Sequence, residues 1–197
     1  MQRLPPVDEN TDSEVAAVFT ELSRSRGGVS NALRSMGHAP DALRRFAAVG
    51  DYARYHSSLP ERLREIVIVV TGRKYAYAMS HHGPLAIQAG MTEAEVADLV
   101  AGNVPSTFNV VDAAVAQYVL EFASPGSVSD QTFETIKRVM TAREITDVTM
   151  TSAYYVALAM TITAFGVTFD SEERLKAGRE WQKKMDMQTN TATGTGK

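Results

Sequence analysis

The chain has 197 residues, 44% of them apolar and 22% charged, with a formal net charge of -3, four histidines and no cysteine. That size and composition suit a globular domain with a core of its own, and the mild acidity leaves no basic footprint for nucleic acid. The lack of cysteine excludes disulfides, thiolate metal sites and thiol redox chemistry, so the expected partner is a small molecule or another copy of the chain.

The opening Met1-Gln2-Arg3-Leu4-Pro5-Pro6 has no apolar leader, and no apolar run approaches the roughly 20 residues that span a bilayer. A cytoplasmic protein without a membrane partner is the expectation. Thr11-Asp12 caps a first helix with Val15, Val18, Phe19 and Leu22 on one face, ending at Arg24-Ser25-Arg26-Gly27-Gly28. A short element holding Asn31, Leu33 and Met36 closes at Gly37. Pro40-Asp41 opens a third helix with Leu43, Phe46, Ala47 and Val49 inward, and Tyr52, Tyr55 and His56 carry it towards Ser57-Ser58.

Pro60 suits the start of the next helix. The run Ile66-Val67-Ile68-Val69-Val70 has strand propensity, yet Arg62-Leu63-Arg64-Glu65 before it is helical in character and no second such run exists to pair with it. A central helix buried on all sides accounts for it. Pro84 implies either a kink at Gly83-Pro84 or a new helix starting near Ser80-His81, with Leu85, Ala86 and Ala89 inward and Gly90 as terminator. Thr92-Glu93-Ala94-Glu95 is a capping box. Further helices are expected from Asp112 to Phe122, after Ser129-Asp130, and from Ile145 to Phe165, with a break at Ser124-Pro125-Gly126. Residues 171–185 form an exposed amphipathic helix bearing Leu175 and Trp181, and the polar tract from Thr189 onward is expected to be disordered. The domain is accordingly placed at residues 1–170, with 171–197 as an extension.

Proton-transfer groups concentrate between Glu65 and His82. On a helical wheel His82 lies with Tyr75, Met79, Leu85 and Ala86, while His81 lies nearer Lys74 and Tyr77. An imidazole among apolar groups has its pKa lowered and serves as a general base near neutrality, and a helix starting at Ser80 would push the same way. The alternative is a core histidine bonded to a backbone carbonyl. Adjacent histidines diverge by about 100° on a helix, so His81 and His82 do not chelate one metal ion. Arg73 and Lys74 suit a substrate carboxylate or, equally, a helix end. Asp147, two turns before Tyr155, needs a partner across the core, the simplest being an Arg or a Tyr. Tyr154 and Tyr155 suit core aromatics with hydroxyls at a rim.

Three stretches together resemble the carboxymuconolactone decarboxylase family of the AhpD-like superfamily: Leu63-Arg64-Glu65-Ile66-Val67-Ile68-Val69-Val70, His82-Gly83-Pro84-Leu85-Ala86, and Ala89-Gly90-Met91-Thr92-Glu93-Ala94-Glu95-Val96. Gly28 to Leu33, Val128 to Phe133 and Asp147 to Thr161 extend the resemblance over most of residues 1–170. The peroxidase members' Cys-x-x-Cys pair falls here on Tyr75 and Ala78, and a non-redox subgroup's Tyr-Glu-Trp triplet falls on Tyr77-Ala78-Met79. The resemblance implies an all-α, AhpD-like helical bundle assembled as a dimer, trimer or hexamer, without a cofactor or metal. It also implies a lyase or isomerase acting by acid/base chemistry on a small carboxylated or enolisable ring compound. By the same resemblance His82 and Glu65 are the catalytic pair, with His81 and Tyr77 as further catalytic candidates. Arg73, Lys74, Tyr75 and Tyr155 are the candidates for substrate binding. The alternative is a member of the same fold that binds a ligand or assembles without catalysis.

Overall fold

The computed structural model describes residues 2–124 and 127–193, with side chains described as far as Met185. Among the described residues there are ten α-helices, one π-helical segment and no strand. The chain divides into two compact units, one of residues 1–51 and 162–197, the other of residues 52–161. This division does not follow the expected boundary at residue 170, because the C-terminal helix groups with the N-terminal ones.

The first unit begins with α1 (Ser13–Arg26), whose Asp12 carboxylate accepts from the backbone N–H of Glu14 and Val15 and whose Val15, Val18, Phe19 and Leu22 are buried. Two of the orphan N–H groups are thereby satisfied, as the sequence pattern requires. Helices α2 (Asn31–Arg34) and α3 (Pro40–Asp51) follow. In α3 the buried residues are Leu43, Ala47 and Gly50, so Val49, expected inward, is displaced round the helix and 39% exposed. Helix α10 (Glu172–Thr193) is longer than the expected 171–185 and packs on α1, where the Trp181 indole N–H donates to the Ser25 carbonyl at 3.1 Å. Gly27 ends α1 with φ +71°, and a Cβ there would lie 2.6 Å from the Trp181 Cβ. The expected break at Pro125-Gly126 and the last four residues of the tail lie outside the described residues.

The second unit holds the π-helical segment Tyr52–His56, α4 (Glu61–Gly72), α5 (Ala76–Gln88), α6 (Glu93–Ala101), α7 (Val110–Phe122), α8 (Asp130–Lys137) and α9 (Ala142–Phe165) as far as Thr161. Helix α4 is its axis. Ile66, Val67, Ile68, Val69 and Val70 have no accessible surface, and α5, α6 and α7 pack around them. The helix penalty of a β-branched residue, at most about 0.7 kcal/mol, is overcome by the roughly 1.5–3 kcal/mol that burying each such side chain contributes. The expectation of an all-round buried helix holds. Leu99 of α6, Val115 and Val119 of α7, Ile136 of α8 and Val148 of α9 complete this core.

Polar staples fix the packing. Arg62 donates to Asp112 at 2.8 Å and to the Gly90 carbonyl at 2.7 Å, and stands 5.3 Å from the Phe108 ring centre. The capping box at Thr92 and Glu95 is present as expected, and a second, Thr141 with Glu144, starts α9 three residues before the expected Ile145. Helix α5 runs through Pro84 without a new start at Ser80, so its first turn lies a full turn before the histidines. The dipole argument for the His82 pKa therefore gives way to burial. Helix α9 is long and apolar enough, by length and composition, to span a bilayer, contrary to the expectation from apolar runs. Its buried Ile145 and Val148 belong to the core, and its Asp147 and Thr149 hydrogen-bond within the unit.

Candidate functional site

The second unit brings a buried relay together. Arg54, on the π-helical segment, donates from a guanidinium nitrogen to Glu65 Oε1 at 2.5 Å, and the other carboxylate oxygen lies 3.0 Å from His82 Nδ1. The side chains are 7%, 0% and 12% exposed for Arg54, Glu65 and His82. Glu65 sits on α4 within the turn that leads into the apolar run, and His82 sits on α5, which packs against that face. The expected pairing of Glu65 with His82 is thus present in the geometry.

Burial alone would raise the Glu65 pKa, but the His82 and Arg54 partners override it and hold the carboxyl down to about 2. Burial would likewise lower Arg54, and the Glu65 carboxylate raises it instead. For His82 the balance goes the other way: burial lowers its pKa below 6.5 and outweighs the pull of Glu65. The state at neutral pH is therefore a guanidinium, a carboxylate and a neutral imidazole. An ionised carboxylate only accepts, so the imidazole proton is on Nδ1, donated to Glu65, and the lone pair is on Nε2. Nε2 has no hydrogen-bond partner among the described residues and is not a sealed atom. Arg54 neutralises Glu65, Glu65 fixes the tautomer, and Nε2 is left to take or give a proton.

Aromatic rings flank the imidazole. The Tyr155 ring meets His82 edge-on at 5.1 Å, and Tyr154 meets Tyr155 in the same way at 5.2 Å. Tyr77 and His81 form a second pair one turn apart on α5, stacked at 4.9 Å. Arg73 turns back to donate to the Val70 carbonyl at 2.8 Å, which is the helix-end role weighed for it. Lys74 is exposed, and Tyr75 is the half-buried residue that precedes α5. The structure thus gathers Glu65, His82 and Tyr155, sets Tyr77 with His81, and does not bring Arg73 or Lys74 into the relay. Among the described residues no three of His, Asp and Glu converge as a metal-holding group.

Two features escaped the sequence reading. Arg54 was not a candidate, since its neighbours Tyr52, Tyr55 and His56 read as a simple continuation of α3. Asp147 has the Tyr partner that was anticipated, Tyr52 at 2.7 Å, but also holds Ser58 through its backbone N–H at 2.8 Å and its hydroxyl at 2.7 Å.

Comparison with known proteins shows relatives of the fold. The debrominase Bmp8 is similar in fold, with a TM-score of 0.71 at 15% identity over 92% of this chain and 97% of that one. A Bmp8 cysteine-to-alanine variant in complex with 2,3,4-tribromopyrrole superposes equally well, at 15% identity over 92% and 96%. An AhpD-core, peroxidase-related protein from Ralstonia eutropha JMP134 has a TM-score of 0.74 at 18% identity, over 90% of this chain and 96% of its own. No curated protein matches in sequence. Residues 40–120, the stretch that carries Arg54, Glu65 and His82, match the profile of the carboxymuconolactone decarboxylase family. Over that segment the chain is similar to the carboxymuconolactone decarboxylase family, and it carries no cysteine pair.

Proposed function

We propose that the protein is a thiol-independent acid/base enzyme, a lyase or isomerase acting on a small enolisable or carboxylated ring compound, with His82 Nε2 as the proton-transfer atom. One observation carries the reading: a neutral imidazole whose Nδ1–H is committed to an ionised, Arg54-neutralised carboxylate while Nε2 has no partner among the described residues. Such an imidazole acts as base first. In an isomerisation Nε2 takes a proton from carbon, the electron pair moves into the adjacent carbonyl as an enolate, and the imidazolium returns the proton at a second carbon. In a decarboxylation Nε2 first takes up a proton from solvent, the carbon–carboxylate bond breaks, CO2 leaves, and the electron pair left on carbon takes that proton from the imidazolium, which returns to the neutral imidazole. Tyr155 and the Tyr77–His81 pair supply aromatic surface for a ring, and a ring of this size is what Bmp8 binds in its complex. The family resemblance also leads us to propose a homo-oligomer in the cytoplasm, with the exposed Met150 and Met160 of α9 as contact surface.

The test is deuterium exchange. A panel of γ-lactone acids, β-keto acids and cyclic enones is incubated with the protein in D2O and followed by proton NMR. Protein-dependent loss of an activated C–H signal, or CO2 release, is expected for at least one compound and is expected to vanish in His82→Ala. Exchange that survives in His82→Ala removes His82 from the role. A folded wild-type protein that exchanges nothing favours the binding member of the fold.

A further inference from the structure

We infer that Asp147 is a positioning residue for the His82 site: its carboxylate clasps both ends of the π-helical segment and so holds Arg54 against Glu65. Oδ1 accepts from the Tyr52 hydroxyl at 2.7 Å, at the first residue of the segment, and Oδ2 accepts from the Ser58 N–H and hydroxyl at 2.8 and 2.7 Å, two residues past its end. Asp147 is itself 3% exposed. Of its charged neighbours on the same helix, Arg143 stands 4.0 Å away and is two-thirds exposed, and Glu144 is held by the Thr141 cap.

A π-turn is a rare, locally unfavourable conformation that persists where its surroundings over-determine it. Here a wide bond from the Ser57 N–H to the Tyr52 carbonyl, 2.8 Å long and spanning five residues, closes the turn from within, and Asp147 closes it from outside. Arg54 lies in the middle of that closed turn. Were the turn to relax to α-helical winding, the residues after the change would rotate round the axis and the guanidinium would leave its 2.5 Å contact with Glu65. A buried aspartate needs partners wherever it sits. What makes this one a positioning device is that its partners flank a single segment whose interior side chain belongs to the relay.

The groups facing His82 are Glu65 from α4, Arg54 from the π-helical segment, Tyr155 from α9 and His81 on its own helix. Arg54 disfavours the imidazolium, and Glu65 favours it. Loosening Arg54 therefore raises the pH at which His82 ionises and weakens the hold of Glu65 on the Nδ1–H tautomer.

This role bears on turnover only through the proton-transfer reading above, so the test reads His82 directly. Ring nitrogen shifts and the His82 titration are followed by NMR in the wild type, Asp147→Asn and Tyr52→Phe, with Asp112→Asn as control. Asp112 is an equally buried acid of the same unit, but it serves Arg62. In Asp147→Asn the His82 titration is expected to move up by at least about half a pH unit, with mixing of the two tautomers, and Tyr52→Phe is expected to move it less in the same direction. Asp112→Asn is expected to leave it in place. Titrations of Asp147→Asn and Tyr52→Phe that superimpose on the wild type, or an equal shift in Asp112→Asn, overturn the inference. If Asp147→Asn does not fold, Tyr52→Phe decides, since it removes one oxygen from a side chain at the surface. A shifted His82 in a protein that exchanges no substrate proton supports the positioning role and overturns the proposed reaction.

Discussion

Glu65 and Arg54 show what a buried charge does to a residue's neighbours. Together they are near neutral; separately each is an uncompensated ion in a dry interior. Glu65→Gln is expected to destabilise the fold by about 3–5 kcal/mol, because it strands the guanidinium, whereas Arg54→Met with Glu65→Leu is expected to recover most of that loss. Urea unfolding of the two variants distinguishes a stranded charge from a lost contact. The same residues set the response to acid. The folded-state pKa values of His82 and Glu65 both lie below the ordinary ones, so the folded state binds fewer protons than the unfolded chain and stability falls as pH falls. Loss from His82 begins below pH 6.5; loss from Glu65 follows between 4.5 and about 2 and is on the order of 3 kcal/mol. His82→Gln is expected to flatten the upper part of the stability curve and leave the lower part. At this scale the sequence was legible where chemistry crowds along the chain, as with Glu65 and His82. It was not legible at Arg54, because a π-turn shifts the helical phase and no periodicity announces it.

At the scale of elements, α4 was readable despite its β-branched run, since its polar N-terminal turn and the lack of any pairing partner outweigh propensity. The closeness of α4 to α5 was not readable, because no periodicity shows that Gly72, the last residue of α4, meets Ala78 of α5 six residues on. A Cβ added at Gly72 would lie 2.8 Å from the Ala78 Cβ, inside any normal contact distance. Gly72→Ala is accordingly expected to cost about 1–3 kcal/mol by forcing the helices apart, although alanine is the better helix former. Adding Ala78→Gly returns the missing space and is expected to restore part of the loss, less the roughly 1 kcal/mol that glycine costs inside a helix. Thermal midpoints of the single and double variants check this, and additive losses in the double variant would show that the two helices do not meet there. The consequence reaches the site, for α5 carries His82 and any outward shift lengthens its 3.0 Å contact with Glu65.

At the scale of the whole molecule, the residues after 170 read as an appendage because their composition turns polar, and polarity alone cannot reveal a helix that docks through a few side chains. The structure groups α10 with α1 to α3. Asp170, whose side chain is fully buried, accepts from the Asn31 N–H at 2.9 Å, and Arg174 binds both Asp170 and the Asn31 side chain. Gln182 is 2% exposed, and Trp181 covers the Gly27 turn at the end of α1. Removing residues 171–197 therefore uncovers apolar surface and takes the Arg174 guanidinium from a buried carboxylate. The shortened chain is expected to melt several degrees lower, and Trp181→Ala alone to cost about 2–3 kcal/mol. A true appendage would be lost without effect, so equal thermal midpoints for the full and shortened chains would restore the boundary at 170. Limited proteolysis gives the same answer locally: with α10 gone, cleavage is expected first around Arg24 and Arg26, where the indole of Trp181 and its bond to Ser25 no longer hold the end of α1.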